Sequence, residues 1–182
     1  MYSISVASAL FIGRYGLLTP SVSITIKMTQ HIQIVLTVLI LLTGCSGKMP
    51  DLGIENGQLM PCPTTPNCVN SQAKDPKHYI EPIRIVGNAS QAQSHILKIL
   101  TEWGRSRIVV ADDHYIRAEF TSQVFRFVDD VEFYFPETQS KETIIHVRSA
   151  SRVGTSDFGV NRKRIEKIRM KMDSSSNARK GP

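Results

Sequence analysis

The sequence contains no apolar run long enough to cross a membrane as a helix. An apolar segment at residues 32–44 (IQIVLTVLILLTG) has 13 residues, whereas a membrane-spanning helix needs about 20. Residues 1–44 also contain no aspartate or glutamate. A short apolar core that ends in small residues is typical of a secretory signal peptide, which is removed on export. We therefore predict a signal peptide at residues 1–44, with translation starting either at Met28, which we favour, or at Met1 with an unusually long segment before the apolar core.

The apolar segment leads directly to a cysteine. Residues 42–45 (LTGC) resemble the bacterial lipobox, in which the thiol receives a diacylglyceryl group before cleavage makes the cysteine the first residue. The alternatives are a plain signal peptide and a buried segment that ends in Gly-Cys by chance, but position, length and small residues all fit the lipobox. We predict that Cys45 carries palmitate or similar acyl chains, because two or more chains anchor a protein firmly where one binds only reversibly. In enterobacterial lipoproteins, an aspartate directly after the lipid cysteine retains the protein in the inner membrane. This chain has Ser46 at that position, which favours the outer membrane.

Cysteine is scarce, with three in the whole chain. The C-x-x-C spacing of redox motifs does not occur, nor does the cysteine and histidine spacing of zinc sites, so we expect no metal and no cofactor. With Cys45 assigned to lipid, Cys62 and Cys68 remain, separated by a loop that two prolines stiffen. An oxidising compartment favours a structural disulfide between them.

The rest of the chain divides into three parts. Residues 45–60 have three glycines, a proline and no sustained periodicity, which predicts a flexible tether. Residues 61–172 predict a single domain, and residues 173–182 are expected to be disordered. The strand-like runs of the domain are 80–86, 107–111, 114–121, 127–135 and 143–149, and the helical runs are 90–103 and 161–172.

Short links join the last four strands, so these strands must pair antiparallel. The order β-α-β-β-β-β-α then predicts an α+β fold, a two-layer sandwich of an antiparallel sheet of about five strands with two helices. The alternative is a helix-grip arrangement with the sheet curled around the final helix, but that helix looks short for this role.

Alternation along the strands places a set of charged residues opposite the apolar side chains. The set is Arg117, Glu119, Asp130, Glu132, His146 and Arg148. We favour a solvated sheet face with cross-strand ion pairs, each worth about 0.2–1 kcal/mol. The alternative is a polar cleft whose carboxylates have raised pKa values and perform acid–base chemistry. Asp129 falls on the apolar face and therefore requires an arginine partner, for which Arg126 or Arg152 is available.

Basic residues are concentrated near the end of the chain. A loop between Gly154 and Gly159 leads into a helix N terminus, where free backbone N–H groups attract anions. The candidate ligand-binding residues are Arg148, Arg152, Asp157 and Arg162, since arginine can bind carboxylate or phosphate in a bidentate manner. The alternative, towards which we lean, is that Asp157 neutralises the arginines within a packed structural loop.

Motifs of the common enzyme and nucleic-acid-binding classes are missing. The sequence has no phosphate-binding Walker loop, dinucleotide fingerprint, G-x-S-x-G or H-E-x-x-H, so we assign no catalytic residue. It also has no nucleic-acid-binding motif, and a net charge of +6 alone is weak evidence for such a partner. We expect no nucleic-acid ligand.

Three blocks of the sequence occur in a familiar order. They are CPTTPNCVNS, AEFTSQVFRFVDDVEFYF and IHVRSASRVGTSDFGVNRKRIEKIR. Together they resemble the bacterial and plastid family known as domain of unknown function 1499, from about Cys62 to Met172. The resemblance implies no activity, ligand or catalytic residue, but many members look like envelope proteins and several carry a lipobox or a membrane segment.

These observations together lead to an expectation about function. We expect a bacterial envelope lipoprotein that faces the periplasm. It would catalyse no reaction and would serve as a binding or structural module. Its partners would be the membrane, through the lipid anchor, and a small anionic or lipidic ligand or an envelope protein. The alternative is an envelope enzyme that uses the carboxylates of the polar sheet face.

Overall fold

The computed structural model describes residues 30–36, 47–138, 140 and 142–178, with side chains described as far as residue 174. The chain divides into two compact units, Met1–Thr43 and Gly44–Pro182. In the first unit residues 30–36 are helical, and no helix in the described part of the chain is long and apolar enough to span a membrane. The predicted lipobox and Cys45 lie outside the described residues.

The second unit has an α+β fold, as expected. Its elements in chain order are β1 (Ile54–Glu55), β2 (Gln58–Leu59), β3 (Cys68–Asn70), β4 (Ile83–Val86), α1 (Ala89–Thr101), β5 (Ser106–Ala111), β6 (Tyr115–Thr121), β7 (Val128–Tyr134), β8 (Glu142–Ser151) and α2 (Val160–Ala178). The main sheet has the order β3-β8-β7-β6-β5, and β4 also pairs with β8. These strands pair antiparallel, but the sheet has six strands rather than about five.

The additional strands are too short to show an alternating pattern in the sequence. Strand β3 follows the Cys62–Cys68 disulfide, which is present with a Cα–Cα distance of 5.6 Å. Strands β1 and β2 form a separate hairpin around Asn56 and Gly57, which both have positive φ, as a tight hairpin turn requires. The Leu59 backbone N–H donates to Oε1 of Gln72 at 2.8 Å. The segment expected to be a tether therefore contains an ordered hairpin held against the domain.

The hydrophobic core lies between the helices and one face of the main sheet. Its strand residues include Ile116, Ala118, Phe120, Val131, Phe133, Ile145 and Val147, its helix residues include Ala92, Ile96, Ile99, Leu100, Ile165, Ile168 and Met172, and Phe135 joins it just after β7. Helix α1 begins at Asn88 as N-cap, whose side chain accepts from the Gln91 N–H at 2.9 Å, rather than at the predicted Ser90. Helix α2 extends to Ala178, into the tail expected to be disordered.

The opposite side of the sheet, here called the outer face, is crossed by the segment from Gly47 to Gly57, which includes β1. At one end of this segment, a Cβ added to Gly47 would lie 2.8 Å from the Cβ of Arg152. At its other end, a Cβ added to Gly57 would lie 3.9 Å from the Tyr134 hydroxyl. Arg152 follows the end of β8, whereas Tyr134 ends β7, which runs in the opposite direction. The segment between these glycines therefore runs from one end of the sheet to the other.

Candidate functional site

Several loops meet at one end of the main sheet. Thr121 pairs with Val128 where β6 turns into β7, and the Arg152 N–H donates to the Val128 carbonyl at 3.1 Å as the chain leaves β8. The Thr121 N–H donates to the carbonyl of Arg105, just before β5, at 3.0 Å. We call this region the loop end. It consists of Arg105, residues 122–127, residues 152–159 and the first turn of α2, residues 160–163.

A cavity of about 310 Å³ lies at the loop end, which is near the lower limit for ligand pockets. Its lining includes Trp103, Arg105, Phe120, Asp129, Val160, Lys163, Arg164 and Lys167. The four residues that α2 contributes follow the three- and four-residue spacing of a single helix face. The cavity therefore lies between this face of α2 and the strand ends, with Trp103 beyond the C terminus of α1.

The cavity combines aromatic walls with positive charge. The Trp103 and Phe120 rings meet edge to face with centroids 5.3 Å apart, and Nζ of Lys167 lies 4.8 Å from the Trp103 centroid. Within the described part of the chain, Arg105, Lys163 and Lys167 form no ion pair with a carboxylate. Such a site favours a ligand with one anionic group and an apolar portion, since the cations attract the anion and the rings cover apolar surface.

Asp129, the one acidic residue in the cavity lining, is already neutralised. Its Oδ2 accepts from Nη2 of Arg164, and Arg164 is buried against the Phe120 ring, with Cζ 4.8 Å from the centroid. The sequence suggested Arg126 or Arg152 as the partner. Arg152 instead points to the outer face, whereas Arg164 comes from α2, which packs on the same side of the sheet as Asp129.

The charged residues of the outer face form a buried network rather than a solvated surface. Asp130 is 1% exposed and accepts from Nη2 of Arg117 at 2.8 Å and from Nε of Arg152 at 2.7 Å. Arg152 also donates to Glu119, which accepts from Nη2 of Arg107 at 2.6 Å. Burial alone would raise the pKa of Asp130, but the hydrogen bonds from Arg152 and Arg117 outweigh it and hold this pKa below its ordinary value.

A second cluster on the outer face surrounds Glu132. This side chain is 0% exposed, and it accepts from the Tyr115 hydroxyl at 2.7 Å and from Nη1 of Arg148 at 2.8 Å. Burial raises the pKa of Glu132, although the Arg148 charge opposes the shift. A raised carboxyl pKa is the mark expected of an acid–base catalyst, but a carboxyl without exposed surface cannot reach a substrate. The geometry does not support catalysis at Glu132.

These carboxylates predict how stability depends on pH. The pKa of Asp130 lies below its ordinary 3.8 and that of Glu119 below its ordinary 4.5 because arginine hydrogen bonds outweigh burial. Their stabilisation is therefore present above the unfolded-state pKa values and is lost as pH falls through the lower folded values. Glu132 has the opposite sign, since its raised pKa means that stabilisation is present at low pH and lost as pH rises.

On acidification Glu132 gains stabilisation only down to its ordinary pKa of 4.5, whereas Asp130 and Glu119 lose theirs below their ordinary pKa values. The free energy of unfolding should therefore fall between about pH 4 and about pH 2. Urea unfolding of the second unit at a series of pH values measures this dependence. In the Asp130→Asn variant the free energy of unfolding should decline less steeply with falling pH, because asparagine has no carboxyl group to titrate at this position. A free energy of unfolding that increases as the pH falls below about 4 would contradict the assignment.

The four residues predicted to bind a ligand do not converge. Arg148 pairs with Glu132 and Arg152 pairs with Asp130, both on the outer face. Asp157 caps α2, its Oδ2 accepting from the Asn161 N–H at 2.7 Å, and Nη2 of Arg162 donates to the Tyr79 carbonyl at 2.7 Å. The packed-loop alternative supposed that Asp157 neutralises the arginines. In the structure the Asp157 carboxylate instead accepts from backbone N–H groups at the start of α2. Each of the four has contacts within the domain, and Arg148, Arg152, Asp157 and Arg162 are all absent from the lining of the cavity.

The cavity residues were missed for a physical reason. In sequence, Trp103 continues the apolar stripe of α1, and Lys163 and Lys167 lie opposite the apolar stripe of α2, so neither helix considered alone indicates a cavity. The useful signal is the pairing of a lysine-rich helix turn with the only tryptophan of the chain. That pairing becomes evident only when the fold brings the C terminus of α1 beside the N terminus of α2.

Comparison with known proteins gives one positive finding. A family model described as "Protein of unknown function (DUF1499)" matches residues 58–172. No curated protein was found to match the chain. The matched region contains strands β2 to β8, helix α1 and the cavity-lining part of α2. Because the match covers more than half of the sequence, the chain belongs to the DUF1499 family.

Proposed function

We propose that this protein is a lipid-anchored component of the bacterial envelope whose folded domain binds an anionic amphiphile. The leader and the LTGC sequence support attachment through Cys45. They favour a periplasm-facing location, and Ser46 favours the outer membrane. The domain acts as a binding module rather than an enzyme, with no cofactor.

The observation that carries the binding proposal is the chemistry of the cavity. Arg105, Lys163 and Lys167 contribute positive charge that no carboxylate of the described chain neutralises, while Trp103 and Phe120 supply apolar surface. A phosphate or carboxylate headgroup would meet the cations, and the first part of an acyl or alkyl chain would contact the rings. A volume of about 310 Å³ suits the headgroup end of such a molecule rather than all of a long lipid.

The enzyme alternative is less well supported. It requires exposed carboxylates in a cleft, but Glu119, Asp130 and Glu132 are buried and bonded to arginine or tyrosine. Their contacts resemble those of structural ion pairs, which perturb pKa values without performing chemistry.

Removing two cavity lysines should weaken the binding of a simple anionic amphiphile. We expect Lys163→Gln with Lys167→Gln to lower the affinity of the second unit for dodecyl phosphate at least about tenfold, roughly 1.4 kcal/mol, because two attractive charges are lost. The unit would be produced from residue 46, and titration calorimetry below the micellar concentration measures the dissociation constant. Inorganic phosphate should bind more weakly, since it lacks an apolar portion.

The matched control is Lys74→Gln with Lys98→Gln, which removes the same net charge from exposed positions outside the cavity. Its affinity for dodecyl phosphate should stay close to that of the unaltered unit. Equal losses in the two double variants would mean that the effect comes from overall charge. Equal affinity for dodecyltrimethylammonium would also contradict an anion site.

The anchor is tested by the mass of the mature chain. Expressed with its leader in a bacterial host, the protein should begin at Cys45 and carry the additional mass of a diacylglyceryl group. The Cys45→Ala variant should lack this mass and retain its leader, because lipidation precedes cleavage. A mature chain that begins elsewhere or carries no acyl group would refute the lipid anchor.

A further inference from the structure

Large apolar side chains are exposed together at the loop end. Phe125 is 66% exposed, Phe127 41% and Phe158 89%, and the first two rings stack with centroids 5.5 Å apart. Val124 and Val160 are also exposed, at 75% and 47%. Single exposed apolar residues are common, but a cluster on neighbouring loops marks an interaction surface.

The backbone holds these side chains outward at a conformational cost. Phe158 has φ 53° and Arg126, between Phe125 and Phe127, has φ 54°, which are left-handed values that bulky residues rarely adopt. Asp157 fixes the first of these turns, because its side chain accepts from the N–H groups of Gly159 and Asn161. The domain therefore maintains a strained loop that exposes a phenylalanine, as interaction sites often do.

The surface around the phenylalanines is positive. The loop end contains one carboxylate, Asp157, and its oxygens are engaged at the start of α2. Within the described part of the chain, Arg105, Arg126 and Lys163 have no ion-pair partner. Aromatic side chains surrounded by cations match the interface of an anionic bilayer, where the rings enter the headgroup region and the cations meet phosphate.

The chain also enters the domain at this end. Gly47 has φ 66° and is so close to Arg152 and Val153 that an added Cβ would lie 2.8 Å and 3.0 Å from their side chains. Two residues span at most about 7 Å, so the predicted lipid cysteine, Cys45, must be attached within that distance of Gly47. An acyl anchor at this position would hold the loop end next to the membrane.

We propose that the loop end docks on the anionic surface of the bilayer that holds the acyl anchor, with Phe125, Phe127 and Phe158 in the headgroup region. The membrane partner rests on the proposed function, but the orientation goes beyond it. The opposite end of the sheet then faces away from the bilayer. Because the cavity lies at the loop end, its amphiphilic ligand would enter from the membrane side.

Moving the single tryptophan of the chain tests the orientation. In the lipid-anchored chain, Trp103→Phe would be combined with Phe158→Trp and reconstituted in vesicles of phosphatidylethanolamine and phosphatidylglycerol. We expect the emission of the introduced indole to shift to the blue and to be strongly quenched by lipids brominated on the upper part of the acyl chain. Replacing phosphatidylglycerol by phosphatidylcholine, or adding salt, should reduce the quenching, because screening weakens the attraction of the cations.

The matched control combines Trp103→Phe with Val86→Trp. Val86 is 80% exposed and pairs with Glu142, at the other end of β8 from the loop end, so its indole should remain unquenched. Equal quenching at both positions, or none at position 158, would overturn the proposal. So would a blue shift without vesicles that depends on protein concentration, because this would indicate self-association.

The intact mass of the chain tests the acyl anchor separately. A lipidated chain without quenching at position 158 contradicts docking and leaves the anchor standing. A chain without acyl groups that is nevertheless quenched at position 158 when mixed with anionic vesicles contradicts the anchor and supports docking.

Discussion

Replacing Asp130 by asparagine should lower the free energy of unfolding by about 3–5 kcal/mol, the usual cost of removing one partner from a buried ion pair. Asp130 is 1% exposed and accepts hydrogen bonds from Arg117 and Arg152, whose side chains are 7% and 6% exposed. Asparagine keeps the shape but removes the charge, so buried Arg117 loses the carboxylate with which it forms an ion pair, and buried Arg152 keeps only Glu119. Urea unfolding of the second unit at neutral pH measures the change.

The control for this variant is Glu55→Gln, which also removes one negative charge but at an exposed position in β1. Its free energy of unfolding should change by less than about 0.5 kcal/mol, as for most surface substitutions. If Asp130→Asn were as mild as this control, the network would be solvated and the description of the outer face would be wrong.

Replacing Asn161 by alanine should lower the free energy of unfolding by at least about 2 kcal/mol, since it removes four hydrogen bonds worth about 0.5–1.5 kcal/mol each. Asn161 is 0% exposed. Its Nδ2 donates to the Asn67 carbonyl at 2.9 Å, and its Oδ1 accepts from Ser149 and Arg164, each at 2.6 Å. The amide thus joins α2 to β8 and to the loop closed by the disulfide. Its loss removes one buried hydrogen bond from each of these groups, while the Ser151 N–H still donates to the Asn67 carbonyl and Arg164 still donates to Ser149.

Asn88→Ala provides a comparison within the same chain. Asn88 accepts one hydrogen bond as the N-cap of α1, and loss of such a cap costs about 1 kcal/mol. The two asparagine variants should therefore differ by at least about 1 kcal/mol, taking the value of each hydrogen bond as above. Similar losses would mean that the Asn161 contacts are replaced by water. Since Arg164 lines the cavity, Asn161→Ala should also weaken the binding of dodecyl phosphate.

The longer elements of the fold could be predicted because their patterns repeat. Strands β6 to β8 have alternating runs, β5 has a short apolar run, and α1 has an apolar stripe from Ala92 to Leu100. The α+β class followed from their order. Strands of two or three residues, such as β1 and β3, contain too few residues for a period to appear. Their pairing depends on tertiary contacts, such as the bond between Leu59 and Gln72.

The site could be predicted only in part for a related reason. Alternation correctly placed Glu119, Asp130 and Glu132 on one face, but a strand pattern does not tell whether another segment covers that face. The segment that follows Gly47 and crosses the outer face has no periodic signal. The partner of Asp129 was likewise missed, because Arg164 is 35 residues away in sequence and reaches it only through helix packing.

The position of Trp103 allows a direct test of whether the cavity binds an anionic amphiphile. The measurement is the emission of this single tryptophan while an alkyl phosphate, brominated near its headgroup, is titrated into the second unit. We predict saturable quenching by the phosphate and little quenching by a trimethylammonium compound with the same brominated chain. No quenching by the phosphate, or equal quenching by both compounds, would contradict the account.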